Sequence, residues 1–154
     1  MLTEAQRNHN RRIRELRRVI FNPISEEELM EVRNIHNNTC NKVKDSLNVT
    51  YLESKDTEGN IVDAISISNI DTYFTINNKI FVIKDKKIYC SAYYFYRNTV
   101  FKIDLDKYLI YFVIEGLMQQ GYRKSEIAKL LNRSQQFINY KNNELIDKIG
   151  LIEE

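Results

Sequence analysis

Residues 121–150 read GYRKSEIAKLLNRSQQFINYKNNELIDKIG. Two helices that cross closely need a small residue at the crossing. The turn between them needs a residue tolerant of left-handed backbone, and the second helix needs a cap. Ala128, Asn132 and Ser134 supply these in that order. Ile127, Leu131, Phe137 and Ile138 then provide apolar contacts between the two helices. The spacing predicts a helix-turn-helix whose second helix starts after Ser134.

The segment resembles the helix-turn-helix of LuxR/GerE-type response regulators and, more loosely, region 4 of sigma factors. Gly121, Glu126, Ile127, Ala128, Leu131, Ser134, Ile138, Lys148, Ile149 and Gly150 carry the match, which covers about 30 of the 154 residues. Arg133 departs from the apolar residue usual in the turn, and Glu115 from the Leu usual in the preceding helix. The resemblance implies that the N-terminal turns of the second helix enter a major groove. Gln135, Gln136, Asn139, Tyr140 and Asn143 would then face base edges. Gln and Asn pair with adenine N6 and N7, which points to A·T-rich sites. Arg123, Lys124, Arg133 and Lys141 would hold phosphates and set register without reading sequence.

Upstream, Asp104 or Asp106 can cap a helix running to about Gln120. Its apolar run, residues 108–114, could alone be a strand. Helix is preferred because the pattern continues through Leu117 and Met118 to Gly121, a stop signal. From about Val49 to Ile103 the period is that of strands. Runs at residues 72–76, 79–84, 87–96 and 99–103 are separated by Asn77-Asn78, Asp85-Lys86 and Arg97-Asn98, with an earlier turn at residues 56–60. Asn and Asp tolerate the positive φ of two-residue hairpin turns, so the region predicts an antiparallel β-meander of three to five strands. Tyr93, Tyr94, Phe95 and Tyr96 place aromatics on both faces of one strand. They suit a central strand covered on both sides, or else an exposed patch for a partner.

At the N-terminus, Thr3 and Gln6 have capping-box spacing. Ile13, Leu16 and Ile20 form an apolar stripe on the helix that follows. Arg7, Arg11, Arg14 and Arg18 form a separate basic stripe, a candidate arm for phosphates or a solvated face. Pro23 stops this helix. Ser25 and Glu28 begin a second, which Leu29, Val32, Ile35, His36 and Val43 carry to about residue 46. The expected fold class is α+β: N-terminal helices, a central antiparallel β-meander and a C-terminal helix-turn-helix bundle. The expected segments are residues 1–48, 49–103 and 104–154.

The formal net charge of +2 hides an uneven distribution. Residues 1–20 carry +4, residues 121–143 carry +4, and the remainder carries −6. A polyanion would meet the basic ends and not the middle. Cys40 and Cys90 have no second ligand at metal spacing, and His9 and His36 have no carboxylate or thiol partner at useful spacing. No nucleophile elbow or Gly-rich phosphate loop is present. The reading is a cytoplasmic non-enzyme without cofactor or metal, with no signal core and no run long enough to span a bilayer.

Two functions fit. One is a DNA-binding transcription regulator of a phage or other mobile element, the Asn, Ile, Lys and Tyr load suggesting AT-rich coding. Its partner is double-stranded DNA, and a palindromic site would call for a homodimer. The other is an inhibitor or adaptor whose acidic middle binds a host nuclease or polymerase, its helix-turn-helix serving protein contact or autoregulation.

Overall fold

The structure, a computed structural model, describes residues 1–22, 25–27, 30, 34, 49–91 and 105–154. Most of the second helix expected at residues 25–46 lies outside the described residues. So do the continuation of a strand through residues 93–96, the strand at 99–103, Cys40, His36 and the Asp104 cap.

Helix α1 is Glu4–Phe21. Thr3 and Gln6 form the capping box: the Thr3 hydroxyl accepts from Gln6 N–H at 3.1 Å, and the Gln6 amide oxygen accepts from Thr3 N–H at 2.8 Å. Ile13, Leu16 and Ile20 are buried, as their spacing requires. Five strands follow: β1 Val49–Lys55, β2 Ile61–Ser68, β3 Thr72–Ile76, β4 Lys79–Lys84 and β5 Lys87–Cys90. Four helices end the chain: α2 Leu105–Gln119, α3 Lys124–Leu131, α4 Gln135–Asn143 and α5 Leu145–Ile149. The protein is thus mixed α+β, with an N-terminal helix, small antiparallel sheets and C-terminal helices.

The strands divide between two sheets and do not run as one continuous meander. β1 pairs with β2, and β3-β4-β5 form a second sheet, every pairing antiparallel. The cause is the two-sided apolar character of β4, which reads KIFVIK. Ile80 and Val82 project to one face, where Ile65, Leu52 and Ile67 of the β1–β2 hairpin cover them. Phe81 and Ile83 project to the other, into the core shared with the helices. A strand apolar on both faces needs a layer on each, so the hairpin folds over the sheet as a third layer. Both two-residue turns of the three-stranded sheet take positive φ, at Asn77 (51°) and Asn78 (66°) and at Asp85 (51°) and Lys86 (64°).

Helix α2 is apolar nearly all round, and Leu109, Phe112, Val113, Ile114 and Leu117 are at most 1% exposed. It is therefore the central helix of the core. α1 lies beside it in the same direction: His9 shares a cavity with Tyr108, Arg17 pairs with Glu115 at 2.8 Å, and Phe21 meets Phe112 edge-on. That ion pair gives Glu115 a partner on α1. The chain end is fastened to α1 by Asn10, whose side chain donates to Ile152 O at 2.8 Å and accepts from Ile152 N–H at 2.7 Å. Among the described residues, no helix is long and apolar enough to cross a membrane.

Candidate nucleic-acid interface

Helices α3 and α4 are joined by residues 132–134, and the local chemistry sets the geometry. Glu126 accepts the Arg123 backbone N–H at 3.0 Å, satisfying a donor at the start of α3. Asn132 ends α3 in the left-handed conformation, φ 54° and ψ 49°. Ser134 caps α4, its hydroxyl accepting from Phe137 N–H at 3.1 Å. Ala128 is buried where the helices approach, and Ile127, Leu131 and Ile138 point into the core beside α2.

With Ile138 fixed inward, the polar side of α4 faces outward. Gln135, Gln136, Tyr140 and Asn143 are exposed, and Asn139 is half-buried beside them. Tyr140 is 64% exposed, a large aromatic presented to solvent on this side. Arg123 is exposed at the start of α3, with Lys124 half-buried next to it. Arg133 is exposed in the turn, its guanidinium 4.8 Å from the Phe137 ring centroid. Arg133, Gln135 and Gln136 stand at the start of α4, and Asn143 is its last residue.

Lys141 stands apart. It is half-buried on the inner flank of α4, donating from Nζ to the Tyr111 hydroxyl at 3.4 Å, with its ammonium 5.6 Å from the Phe137 ring centroid. Tyr111 in turn donates to Glu144 Oε2 at 2.9 Å. Burial, then the Glu144 carboxylate, push the Tyr111 hydroxyl up to about 12, so it stays a neutral donor at physiological pH. The Tyr111 bond holds the Glu144 carboxyl below the usual range. This Lys141–Tyr111–Glu144 chain ties α4 to α2 and to the start of α5.

Arg7, Arg11, Arg14 and Arg18 are all exposed along α1, so the basic stripe is a solvent-facing surface. Arg18 pairs with Glu15 on its own helix, and Arg11 donates to the Asn8 side chain.

Sequence reasoning missed the β4–β5 turn as a neighbour of this surface. Arg133 Nη2 donates to Lys86 O at 3.2 Å, which brings Lys86 to within one side chain of the α3–α4 turn. The contact joins residues 47 apart. The one local signal was Lys86 itself, a lysine in a turn position that favours Asn or Gly. No protein-family model, curated protein or solved structure matches the chain.

Proposed function

We propose that the protein is a DNA-binding transcription regulator of a phage or other mobile element, with α3 and α4 acting as a helix-turn-helix. The observation that carries this reading is the exposed polar side of α4. Gln135, Gln136, Tyr140 and Asn143 share it on a helix held in place by the buried Ile138, with Arg133 exposed in the turn before it and Arg123 exposed at the start of α3. Amide side chains on a rigid helix suit adenine edges, and the flanking cations suit phosphates. Neutralising phosphates releases counterions, so binding by this surface is strongly salt-dependent.

The test is selection of bound sites from random duplex DNA, followed by affinity for the selected and a scrambled duplex at two salt concentrations. An A·T-rich consensus bound at least about a thousandfold tighter than scrambled DNA supports the reading. Equal affinity for both duplexes, or no duplex binding, refutes it. A tight complex with a nuclease or polymerase in the absence of duplex binding would instead establish the inhibitor or adaptor function.

A further inference from the structure

Strand β5, the first turns of α2 and the inner flank of α4 enclose a cavity of about 420 Å³. Its floor is apolar: Ile88 from β5, Ile110 from α2 and Phe137 from α4. Its rim is cationic. Lys86, Lys87, Lys107, Arg133 and Lys141 all line it, and among the described lining residues there is no carboxylate. Two of these cations are fixed in place. Arg133 is held by its bond to Lys86 O and lies over the Phe137 ring, and Lys141 is held by the Tyr111 hydroxyl.

A bare phosphate backbone needs cations but has no use for an apolar floor. An apolar ligand needs the floor but not a cationic rim. The two together suit a molecule with a flat apolar body and an anionic group at one end, and the volume lies in the small-molecule range of about 300–1,000 Å³. We propose that this cavity binds a small aromatic phosphate, its ring system on Ile88, Ile110 and Phe137 and its phosphate among the rim cations.

The backbone at Lys86 supports a role for its side chain. Among the described residues, six other than glycine have positive φ: four are Asn, one is Asp, and the sixth is Lys86. Asn and Asp tolerate that conformation through local hydrogen bonding, whereas a lysine there is a costlier choice. The ammonium carried into the rim accounts for the exception. The proposal does not rest on DNA binding. It does touch it, because an occupant of the cavity and a duplex phosphate would draw on the same Arg133 guanidinium.

The experiment is titration of the full chain with 1-naphthyl phosphate, followed by calorimetry and by backbone amide shifts. Inorganic phosphate and 1-naphthol, the two halves of the probe, are the controls. The expected result is saturable one-to-one binding, at least about tenfold tighter than either control, a gap of about 1.4 kcal/mol. The shifts should centre on residues 86–89, 107–110 and 133–141. Lys87→Gln should weaken binding at least about threefold with an unchanged unfolding midpoint, since its side chain is exposed. Should that variant misfold, Lys86→Gly relieves the positive φ and should weaken binding without loss of stability.

Inorganic phosphate binding as tightly as the probe would reduce the cavity to a basic surface and overturn the proposal. Naphthol binding as tightly would reduce it to an apolar surface and overturn the proposal equally. Shifts elsewhere, no saturable binding, or a folded variant with undiminished affinity would each overturn it too. A variant that lost only duplex affinity would assign these lysines to DNA and likewise refute the pocket.

Discussion

Asp63 lies in the middle of β2, fully buried, at a place where the β4–β5 ladder ends. Phe81 and Cys90 form the pair at that end of the ladder, so the next pair would be Ile80 with Ser91. The Asp63 carboxylate takes the place of that rung, accepting from Ile80 N–H at 2.7 Å and from the Ser91 hydroxyl. Burial raises its pKa above the ordinary 3.8, opposed by the Ser91 and Ile80 hydrogen bonds. A carboxyl whose folded-state pKa is raised binds its proton more tightly in the folded protein. Its contribution is therefore fully present below the unfolded pKa and is lost as pH rises through the folded pKa. Asp63→Asn, which keeps the shape and can still accept from Ile80 N–H, should flatten the stability profile above the ordinary carboxylate range. Asp63→Ala should cost about 1–3 kcal/mol, because it leaves a buried N–H and a buried hydroxyl without their acceptor. Urea unfolding at a series of pH values checks both; an Asn variant with the wild-type slope would show that Asp63 does not titrate there. On α4, Asn139→Ala should weaken binding to a selected duplex by about 1–3 kcal/mol with the fold retained. Measured discrimination between selected and scrambled duplex that is unchanged in this variant would remove Asn139 from the reading surface.

Among the elements, α2 shows how tightly the layers are fitted. A Cβ at Gly116 would stand 2.8 Å from Ile76 Cγ2 and 3.3 Å from Phe21 Cε1, so α2 closes onto β3 and the end of α1 at this residue. Alanine is better than glycine in a helix by about 1 kcal/mol. Overpacking a close-fitted core costs about 1–3 kcal/mol, and Ile76 is only 1% exposed with no room to yield. Gly116→Ala should thus be net destabilising in chemical denaturation, against its helix propensity. Ile76→Ala opens the space that the new methyl needs, so the double variant should lose less than the two single losses added together. Simple additivity would mean that the helix shifts to accommodate the methyl. The same elements mark what the sequence could disclose. The Thr3–Gln6 capping box, the turns at Asn77-Asn78 and Asp85-Lys86, and the Ser134 cap each depend on residues within a few positions, and each is found where the local chemistry places it. The layering of the β1–β2 hairpin over β4 depends on which apolar face meets which, and alternation within one strand carries no such information. Lys86 beside Arg133 is a contact of the same non-local kind, so the candidate interface was legible on α4 and illegible across the sheet.

At the scale of the whole molecule, β4 separates two basic surfaces. At one end its turn holds Asn77 in a cavity shared with Arg14 and Arg18 of α1. At the other end its turn holds Lys86 against Arg133. The six residues of β4 span about 20 Å at a rise of about 3.4 Å per residue. That distance is rather more than half of one duplex turn, which is about 34 Å long. A duplex seated on α4 would reach the arginine stripe of α1 if its axis followed β4 and both surfaces met the same side of it; a duplex crossing at right angles would not. The stripe from Arg7 to Arg18 extends the contact by about 16 Å at 1.5 Å per helical residue. Under the first arrangement, Arg11→Gln/Arg14→Gln should lower the slope of log affinity against log salt by about 2. It should weaken selected and scrambled duplexes alike, because phosphate contacts carry no direct base information. Both arginines are exposed, so stability should change by less than about 0.5 kcal/mol. We expect the reduced slope: of the four cations expected on phosphates, Lys141 is turned toward Tyr111, which leaves Arg123, Lys124 and Arg133. Three such contacts give a slope of about −2.7, small for tight binding at physiological salt. A double variant with the wild-type slope would place the duplex across β4 and leave the arginine stripe as a solvated face.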